Sequence, residues 1–216
     1  MLQLRYTHLS ARLLIVLSTL SLASCVQLSG PLSDPDKAKP DLELLGVWGY
    51  SKNALKDPRY WFLFVGKSGN RHLPPGIMNL IQVESDLKNN VMAKEPLPFF
   101  TTEIGNSKYA NIKYVDFVPA ADRAKLATRD KRNTKGYLLI KYQVEQDSLI
   151  VWLPDSKAAA DLVKTGKLKG SIADGGLLKF NLATIDDSAG LSRFLGKGGD
   201  KALFPDEGKL VFSRVR

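Results

Sequence analysis

The feature that most constrains the fold of this chain is a strict alternation of apolar and polar residues after position 137. In the segment Tyr137–Glu145, four apolar side chains would share one face of a strand: Leu138, Ile140, Tyr142 and Val144. Polar side chains would share the other face: Lys141, Gln143 and Glu145. The run 149–153 alternates in the same way after the short connection Gln146-Asp147. Because a period of two is typical of a sheet that buries one face, the two runs predict an antiparallel hairpin.

Segments of similar composition extend this sheet in both directions. Strands are predicted at 44–50, 60–65, 78–83, 99–104, 109–118, 178–182 and Leu210–Val215. Two short helices are predicted in the C-terminal half, one from a cap at Asp155 or Ser156 to Lys164, and one from a cap at Ser188 to Leu195, ended by Gly196. The chain is thus mainly β, and about eight to ten short strands favour a small antiparallel barrel, since closure removes exposed strand edges. A two-sheet β-sandwich is the alternative.

The first 25 residues follow a different pattern. Arg5 and Arg12 make the start of the chain basic, and an apolar run then extends from position 13 to Ala23. This run is shorter than the roughly 20 apolar residues that a membrane-spanning helix needs, and it has the length of a secretory signal. Cys25, the only cysteine of the chain, follows the run directly. A single cysteine excludes a disulfide within the chain.

The sequence Leu22-Ala23-Ser24-Cys25 resembles the lipobox of bacterial lipoprotein precursors. This resemblance implies that a signal peptidase recognises the three residues before Cys25 and cleaves there, and that the Cys25 thiol carries a lipid. The next residue is Val26 rather than Asp, which favours the outer membrane and a position facing the periplasm. An ordinary secretory signal, with Cys25 as a small apolar residue, is the alternative.

These patterns divide the chain into three parts. Residues 1–24 are a signal peptide, 25–41 are the lipidated cysteine and a flexible tether, and 42–216 are one β-rich domain. The tether is predicted because 26–41 hold three prolines and little apolar bulk. The formal charge is +9 for the whole chain and +7 without Arg5 and Arg12. This basic balance suits an anionic envelope surface, and no nucleic-acid partner is expected.

A second motif follows the tether. Gly46-Val47-Trp48 resembles the Gly-x-Trp of the first strand in lipocalins and other calycins. The resemblance implies a barrel whose base is closed by Gly46 and Trp48, with Arg214 from the last strand packing across the tryptophan. It also implies a small apolar or amphipathic ligand in the barrel mouth. Trp48 can equally be explained as an ordinary core aromatic.

Residues that could support catalysis are few. His72 is the only histidine after residue 24, and no Gly-x-Ser-x-Gly motif is present. His72 is therefore predicted to be a surface-loop residue. No metal, no cofactor and no enzymatic activity are expected, and a hydrolase of unrecognised type is the least favoured hypothesis. The adjacent pairs Asp186-Asp187 and Asp206-Glu207 are explained by helix capping and turn formation.

One surface feature has a plausible partner. The segment 120–135 carries six cations: Arg123, Lys125, Arg129, Lys131, Arg132 and Lys135. They would either contact an anionic membrane surface or form a solvated loop. The favoured function is a lipid-anchored envelope protein that binds a small apolar ligand or an envelope component through its barrel. The alternative is an accessory lipoprotein that docks on another envelope protein.

Overall fold

The computed structural model describes residues 26–50, 60–85, 91–117, 136–174 and 181–216. These residues form twelve strands: β1 Val26–Leu28, β2 Gly46–Tyr50, β3 Tyr60–Lys67, β4 Met78–Ser85, β5 Val91–Ala93, β6 Leu97–Ile104, β7 Ser107–Lys113, β8 Tyr137–Glu145, β9 Ser148–Trp152, β10 Gly170–Asp174, β11 Asn181–Ile185 and β12 Leu210–Val215. The helices are α1 Tyr114–Phe117, α2 Ser156–Lys164, α3 Ser188–Phe194 and α4 Asp200–Leu203. Short 3-10 turns cover Pro35–Lys37 and Leu42–Leu44.

Eight of the strands close into an antiparallel barrel. Their order is β2-β3-β4-β6-β7-β8-β9-β12, and β12 pairs with β2 to complete the ring. Every barrel strand thus has two neighbours, which removes the free edges that an open sheet would expose. The predicted barrel is confirmed, and the alternative of a β-sandwich is wrong. β5 pairs only with β4, and a three-strand extension, β1-β11-β10, joins β8 through β1.

The barrel separates two apolar cores. The inner core lies within the ring and includes Trp48, Met78, Tyr142 and Phe212. The outer core lies between the outside of the barrel, the extension and helices α2–α4; its members include Leu139, Trp152, Ala183, Leu191 and Phe204. The alternation of β8 is therefore confirmed for its inward face. Its other face, which was expected to be polar and solvated, is partly covered, because Leu139 on that face is buried in the outer core.

The helices follow the predicted capping chemistry with one correction. Asp155 caps α2, since its side chain accepts a hydrogen bond from the Ala158 N–H at 2.6 Å. The predicted cap of α3 at Ser188 is wrong: Asp187 accepts from the Gly190 N–H at 2.7 Å, while Ser188 donates to the Gly30 carbonyl at 2.9 Å.

Several predicted element ends also differ from the structure, and two of these differences concern helices. Gly196 does not end the helical path, which continues through 195–199 until Gly198 adopts a φ of +85°. The predicted strand 109–118 is also too long, because β7 ends at Lys113 and α1 begins at Tyr114.

The prediction of a flexible tether at 26–41 is wrong. Val26 and Leu28 are 2% and 1% exposed, because β1 lies between β11 and β8. After β1, the Leu32 N–H donates to the buried Asn111 side chain at 2.9 Å, and the Ser33 and Thr102 hydroxyls lie 2.6 Å apart. The prolines of this segment therefore lie in an ordered stretch of chain that crosses the outside of the barrel. The folded part therefore already includes 26–41 and does not begin at Leu42.

A glycine substitution tests how firmly this segment is held. A Cβ added at Gly76 would lie 2.1 Å from the Ala38 carbonyl oxygen, whereas a Cβ at Gly69 would meet nothing within 4 Å. We expect Gly76→Ala to displace the segment around residue 38 and to increase its cleavage by protease several-fold. Gly69→Ala is the matched control and should leave the cleavage rate unchanged. Equal cleavage of the two variants would contradict the close packing of 26–41.

Candidate functional site

One end of the barrel is closed by Trp48 and Arg214. Trp48 is 0% exposed and lies opposite Arg214 in the β2–β12 register. The Arg214 guanidinium carbon lies 4.0 Å from the centre of a Trp48 ring, which is within the range of a cation–π contact. Arg214 also donates to the carbonyl oxygens of Leu45 at 2.8 Å and Glu43 at 2.9 Å. The predicted packing of Arg214 across Trp48 is therefore observed.

Gly46 has a specific role at this closed end. Its φ is +129°, which L side chains rarely adopt, and a Cβ there would lie 2.9 Å from Arg214 Nη1. The absence of a side chain thus lets the guanidinium approach the backbone. The Trp48 indole N–H donates to the Leu44 carbonyl at 2.8 Å, which fixes the 3-10 turn beneath the barrel. The sequence Gly46-Val47-Trp48 is accounted for by these contacts.

A polar cluster that sequence reasoning missed supports the same end. Asp41 Oδ2 accepts from the Tyr142 hydroxyl and from Lys108 Nζ, each at 2.9 Å, and Lys108 also donates to Glu43 at 2.7 Å. Burial, reinforced by Asp41, raises the pKa of Tyr142 far above its usual range. Burial alone would lower the pKa of Lys108, but the hydrogen bonds that Lys108 donates to Glu43 and Asp41 raise it overall. In the sequence, the turn-initiating Asp41-Leu42-Glu43 was the feature that could have indicated this polar cluster.

The other end of the barrel combines aromatic and polar groups on its inward face. Tyr50 stacks on Trp61 with ring centres 5.5 Å apart, and Phe212 lies 5.2 Å from Tyr50. Gln82 and Glu84 continue the inward face of β4, because they lie opposite Leu63 and Trp61 in the register with β3. We refer to this end as the open end only to distinguish it from the end that Trp48 and Arg214 close; it is defined by Tyr50, Trp61, Gln82, Glu84 and Lys94.

The polar groups of the open end hold one another in place. Gln82 Nε2 donates to Glu84 Oε1 at 2.9 Å, and Lys94 Nζ lies 3.3 Å from the same oxygen. Lys94 also donates to Gln82 Oε1 at 3.4 Å. The Glu84 side chain is 16% exposed and the Lys94 side chain 44%, so the cation reaches solvent while the carboxylate is largely covered. A polar head group could therefore meet Lys94 beside an aromatic surface.

The inner core limits how deep such a site can be. Below the open end, the interior is occupied by large side chains that include Met78, Leu138, Tyr142 and Phe212. Two surface grooves, of about 370 and 360 Å³, are lined by described residues. One lies between residues 33–39 and β6, and the other lies beside 68–73; neither is lined by a residue of the inner core.

A second polar contact, partly buried, lies beside the outer core. Lys141 Nζ is 2.6 Å from Asp200 Oδ2 and 5.1 Å from the centre of a Trp152 ring, and Ser107 donates to Asp200 at 3.3 Å. Burial opposes the ionisation of Asp200, but the hydrogen bond and charge of Lys141 hold its pKa below the ordinary value. Burial also raises the pKa of the neighbouring Tyr109 to about 12. This contact connects α4 to the barrel.

The remaining predicted residues fall into two groups. Leu22, Ala23, Ser24 and Cys25 lie outside the described residues, as do the six cations of 123–135. His72 is exposed in a turn, as predicted, and its N–H donates to Asn70 at 3.0 Å. Within the described ranges, no three His, Cys, Asp or Glu residues are grouped to hold a metal ion. None of the helices in these ranges is long and apolar enough to cross a bilayer.

Comparison with known proteins gives no family for this chain. No protein-family model, no curated protein and no solved structure matches it. The class that the fold defines is a closed eight-stranded antiparallel barrel with a three-strand extension.

Proposed function

We propose that this chain is a lipid-anchored lipoprotein of the bacterial envelope that binds a small amphipathic ligand at the open end of a calycin-like barrel. The role is one of binding rather than catalysis. The observation that carries the proposal is the inward-facing group of Gln82, Glu84 and Lys94 beside the aromatic pair Tyr50 and Trp61. Apolar surface with a few oriented polar groups is the usual composition of a small-molecule site.

The anchoring part of the proposal is supported by sequence and strand direction. The lipobox-like Leu22-Ala23-Ser24-Cys25 directly precedes β1. β1 runs antiparallel to β8, so Val26 is its residue nearest the closed end. An anchor on Cys25 would thus attach on the side of the closed end and leave the open end facing the periplasm. Two or more acyl chains would make this attachment stable.

Replacement of Cys25 tests the anchor. In cells that are fed a labelled fatty acid, the native chain should incorporate the label and fractionate with the outer membrane. Cys25→Ala should lose the label and leave the membrane fraction, because no other thiol is available. Ser24→Ala is the matched control, since a small residue is kept before the cysteine. Label that persists in Cys25→Ala would contradict lipidation.

Binding of an amphipathic anion tests the open end. We expect the membrane-purified chain to bind anilinonaphthalene sulfonate with its ring against Trp61 and its sulfonate near Lys94. Lys94→Gln should weaken binding about tenfold, since loss of one charge contact corresponds to about 1.4 kcal/mol. Lys157→Gln, on the exposed face of α2, is the matched control. Equal dissociation constants for the two variants would place the probe elsewhere.

A further inference from the structure

A methionine on β5 extends the face of the sheet that forms the open end. β5 pairs with the end of β4, and Met92 lies directly opposite Glu84 in that register. Glu84 lies opposite Trp61, and Trp61 lies opposite Tyr50. Residues that lie opposite each other in an antiparallel pair share one face of the sheet. Met92 therefore completes a row of four side chains that crosses β2, β3, β4 and β5 on the inward face.

Met92 and Lys94 are neighbours on this face. The Lys94 N–H donates to the Gln82 carbonyl at 2.9 Å, so the pairing with β4 continues one residue past the end of β5. Because side chains alternate between the two faces of a strand, Met92 and Lys94 point to the same side, with about 6.7 Å between their Cα atoms. The contact of Lys94 Nζ with Gln82 Oε1 at 3.4 Å agrees with this placement. The Met92 thioether thus lies beside the cation of the open end.

Met92 is exposed although its side chain is large and apolar. It is 60% exposed, whereas Met78, the other methionine among the described residues, is 0% exposed in the inner core. In the part of the chain that the structure describes, neither apolar core includes Met92. Its thioether is therefore presented to solvent at the open end, where a ligand that covers it would form an additional apolar contact.

The chemistry of a thioether suits a ligand contact at this position. Methionine is unbranched and polarisable, so it adapts to apolar groups of irregular shape and makes favourable contacts with aromatic rings. The row from Tyr50 to Met92 spans three strand spacings, or about 14 Å, which exceeds the width of a single aromatic ring. A ligand that rests on the aromatic pair and places its polar group at Lys94 would therefore also extend to Met92.

We propose that Met92 is a ligand contact of the open end and a site at which oxidation by a peroxide releases the ligand, an inference that rests on the proposed function. The thioether sulfur loses two electrons to hydrogen peroxide: the O–O bond breaks, one oxygen atom bonds to sulfur, and the other leaves as water with both protons. The resulting sulfoxide is polar where the thioether was apolar. Its oxygen also accepts hydrogen bonds, so it competes with the polar group of the ligand for the neighbouring Lys94 ammonium.

Peptide mass mapping after peroxide treatment tests the contact. In the membrane-purified chain, hydrogen peroxide should add one oxygen to Met92 about tenfold faster than to the buried Met78, because reactivity follows exposure. Saturating anilinonaphthalene sulfonate should slow the oxidation of Met92 several-fold, since the bound probe covers the sulfur. Oxidation of Met92 at the same rate with and without the probe would overturn the contact.

Binding measurements test the release. Oxidation of the native chain should weaken its binding of the same probe about fivefold, which lies within the range expected for loss of a sulfur–aromatic contact. Methionine sulfoxide reductase with dithiothreitol should restore the affinity, because it reduces the sulfoxide and leaves oxidised tryptophan unchanged. An unchanged melting temperature would verify that the oxidised chain stays folded. An unchanged dissociation constant in a chain fully oxidised at Met92 would overturn the release.

Met92→Leu separates this inference from the proposed function. Leucine is apolar and lacks the oxidisable sulfur, so this variant should bind the probe about two- to threefold more weakly than the native chain and lose no further affinity on peroxide treatment. Met78→Leu is the matched control, and treatment should weaken its binding by the same factor as in the native chain. If peroxide weakens binding by Met92→Leu as much as by the native chain, the inference is wrong and the proposed function stands. If the untreated native chain binds no probe, both fail.

Discussion

Trp48→Ala is expected to destabilise the barrel by about 3 to 5 kcal/mol, the range for truncation of a large buried aromatic. Trp48 is 0% exposed, and its indole N–H donates to the Leu44 carbonyl at 2.8 Å. Its removal would leave a cavity between the inner core and the 3-10 turn, and it would deprive the Arg214 guanidinium of the ring on which it stacks. Denaturant unfolding followed by circular dichroism measures this loss.

Graded variants separate the contributions of volume, hydrogen bond and stacking. Trp48→Phe keeps most of the volume but removes the N–H donor, so its cost should fall to about 1 to 2 kcal/mol. Arg214→Met keeps an apolar cover over the ring and loses both carbonyl contacts, whereas Arg214→Lys keeps the charge without the planar stack. A loss below about 1 kcal/mol for Trp48→Ala would mean that the closed end does not stabilise the barrel.

Asp200→Asn is expected to cost about 2 to 3 kcal/mol, because it leaves the Lys141 ammonium without its charged partner in a largely covered site. The Lys141 and Asp200 side chains are 15% and 17% exposed. The double variant Lys141→Met/Asp200→Leu removes both charges and should recover most of the loss. Equal losses in the single and double variants would show that packing of α4, rather than the ion pair, determines the effect.

The same contact predicts an acid dependence with a definite sign. The pKa of Asp200 is below its ordinary value of 3.8 in the folded chain, so the pair stabilises the fold above that pH. This stability is lost as the pH falls below 3.8 and through the lower pKa of the folded state. We expect the native chain to lose stability more steeply than Asp200→Asn in this acid range. Parallel curves would show that the folded state does not depress this pKa.

The sequence predicts most of the barrel because each barrel strand is indicated by a pattern within its own short segment. Apolar alternation within single segments located β8 and β12 with their observed bounds. The capping residue Asp155 likewise located the start of α2. Pairing between distant segments leaves no comparable local pattern. β1 is only three residues long and pairs with β11, so nothing within 26–41 distinguishes an ordered strand from a proline-rich tether.

The residues of the candidate sites also differ in whether the sequence alone predicts them. Gly46, Trp48 and Arg214 were predictable because a known barrel motif names them, and the structure brings them together. The group of Gln82, Glu84 and Lys94 was not predictable, since polar residues on an inward face resemble solvated positions until the register is known. Asp41 and Asp200 were missed because each pairs with a lysine far along the chain. Sequence patterns specify faces of elements, and long-range pairing determines which faces meet.

The pairing of β1 with β11 has a consequence for the order of events during biosynthesis. Ser29 donates to the Asp186 carbonyl across 157 residues, and the ladder beside it joins residues 26–28 to 183–185. A contact between residues so far apart in the sequence forms late. Its loop-closure entropy is a large cost, and the interactions that compensate for it exist only after most of the chain is present. Until β11 has been synthesised, the segment around Val26 lacks its parallel partner strand. The fold therefore makes the strand at the N-terminal edge of the described chain depend on the C-terminal half, and its place in the sheet is completed only when that half arrives.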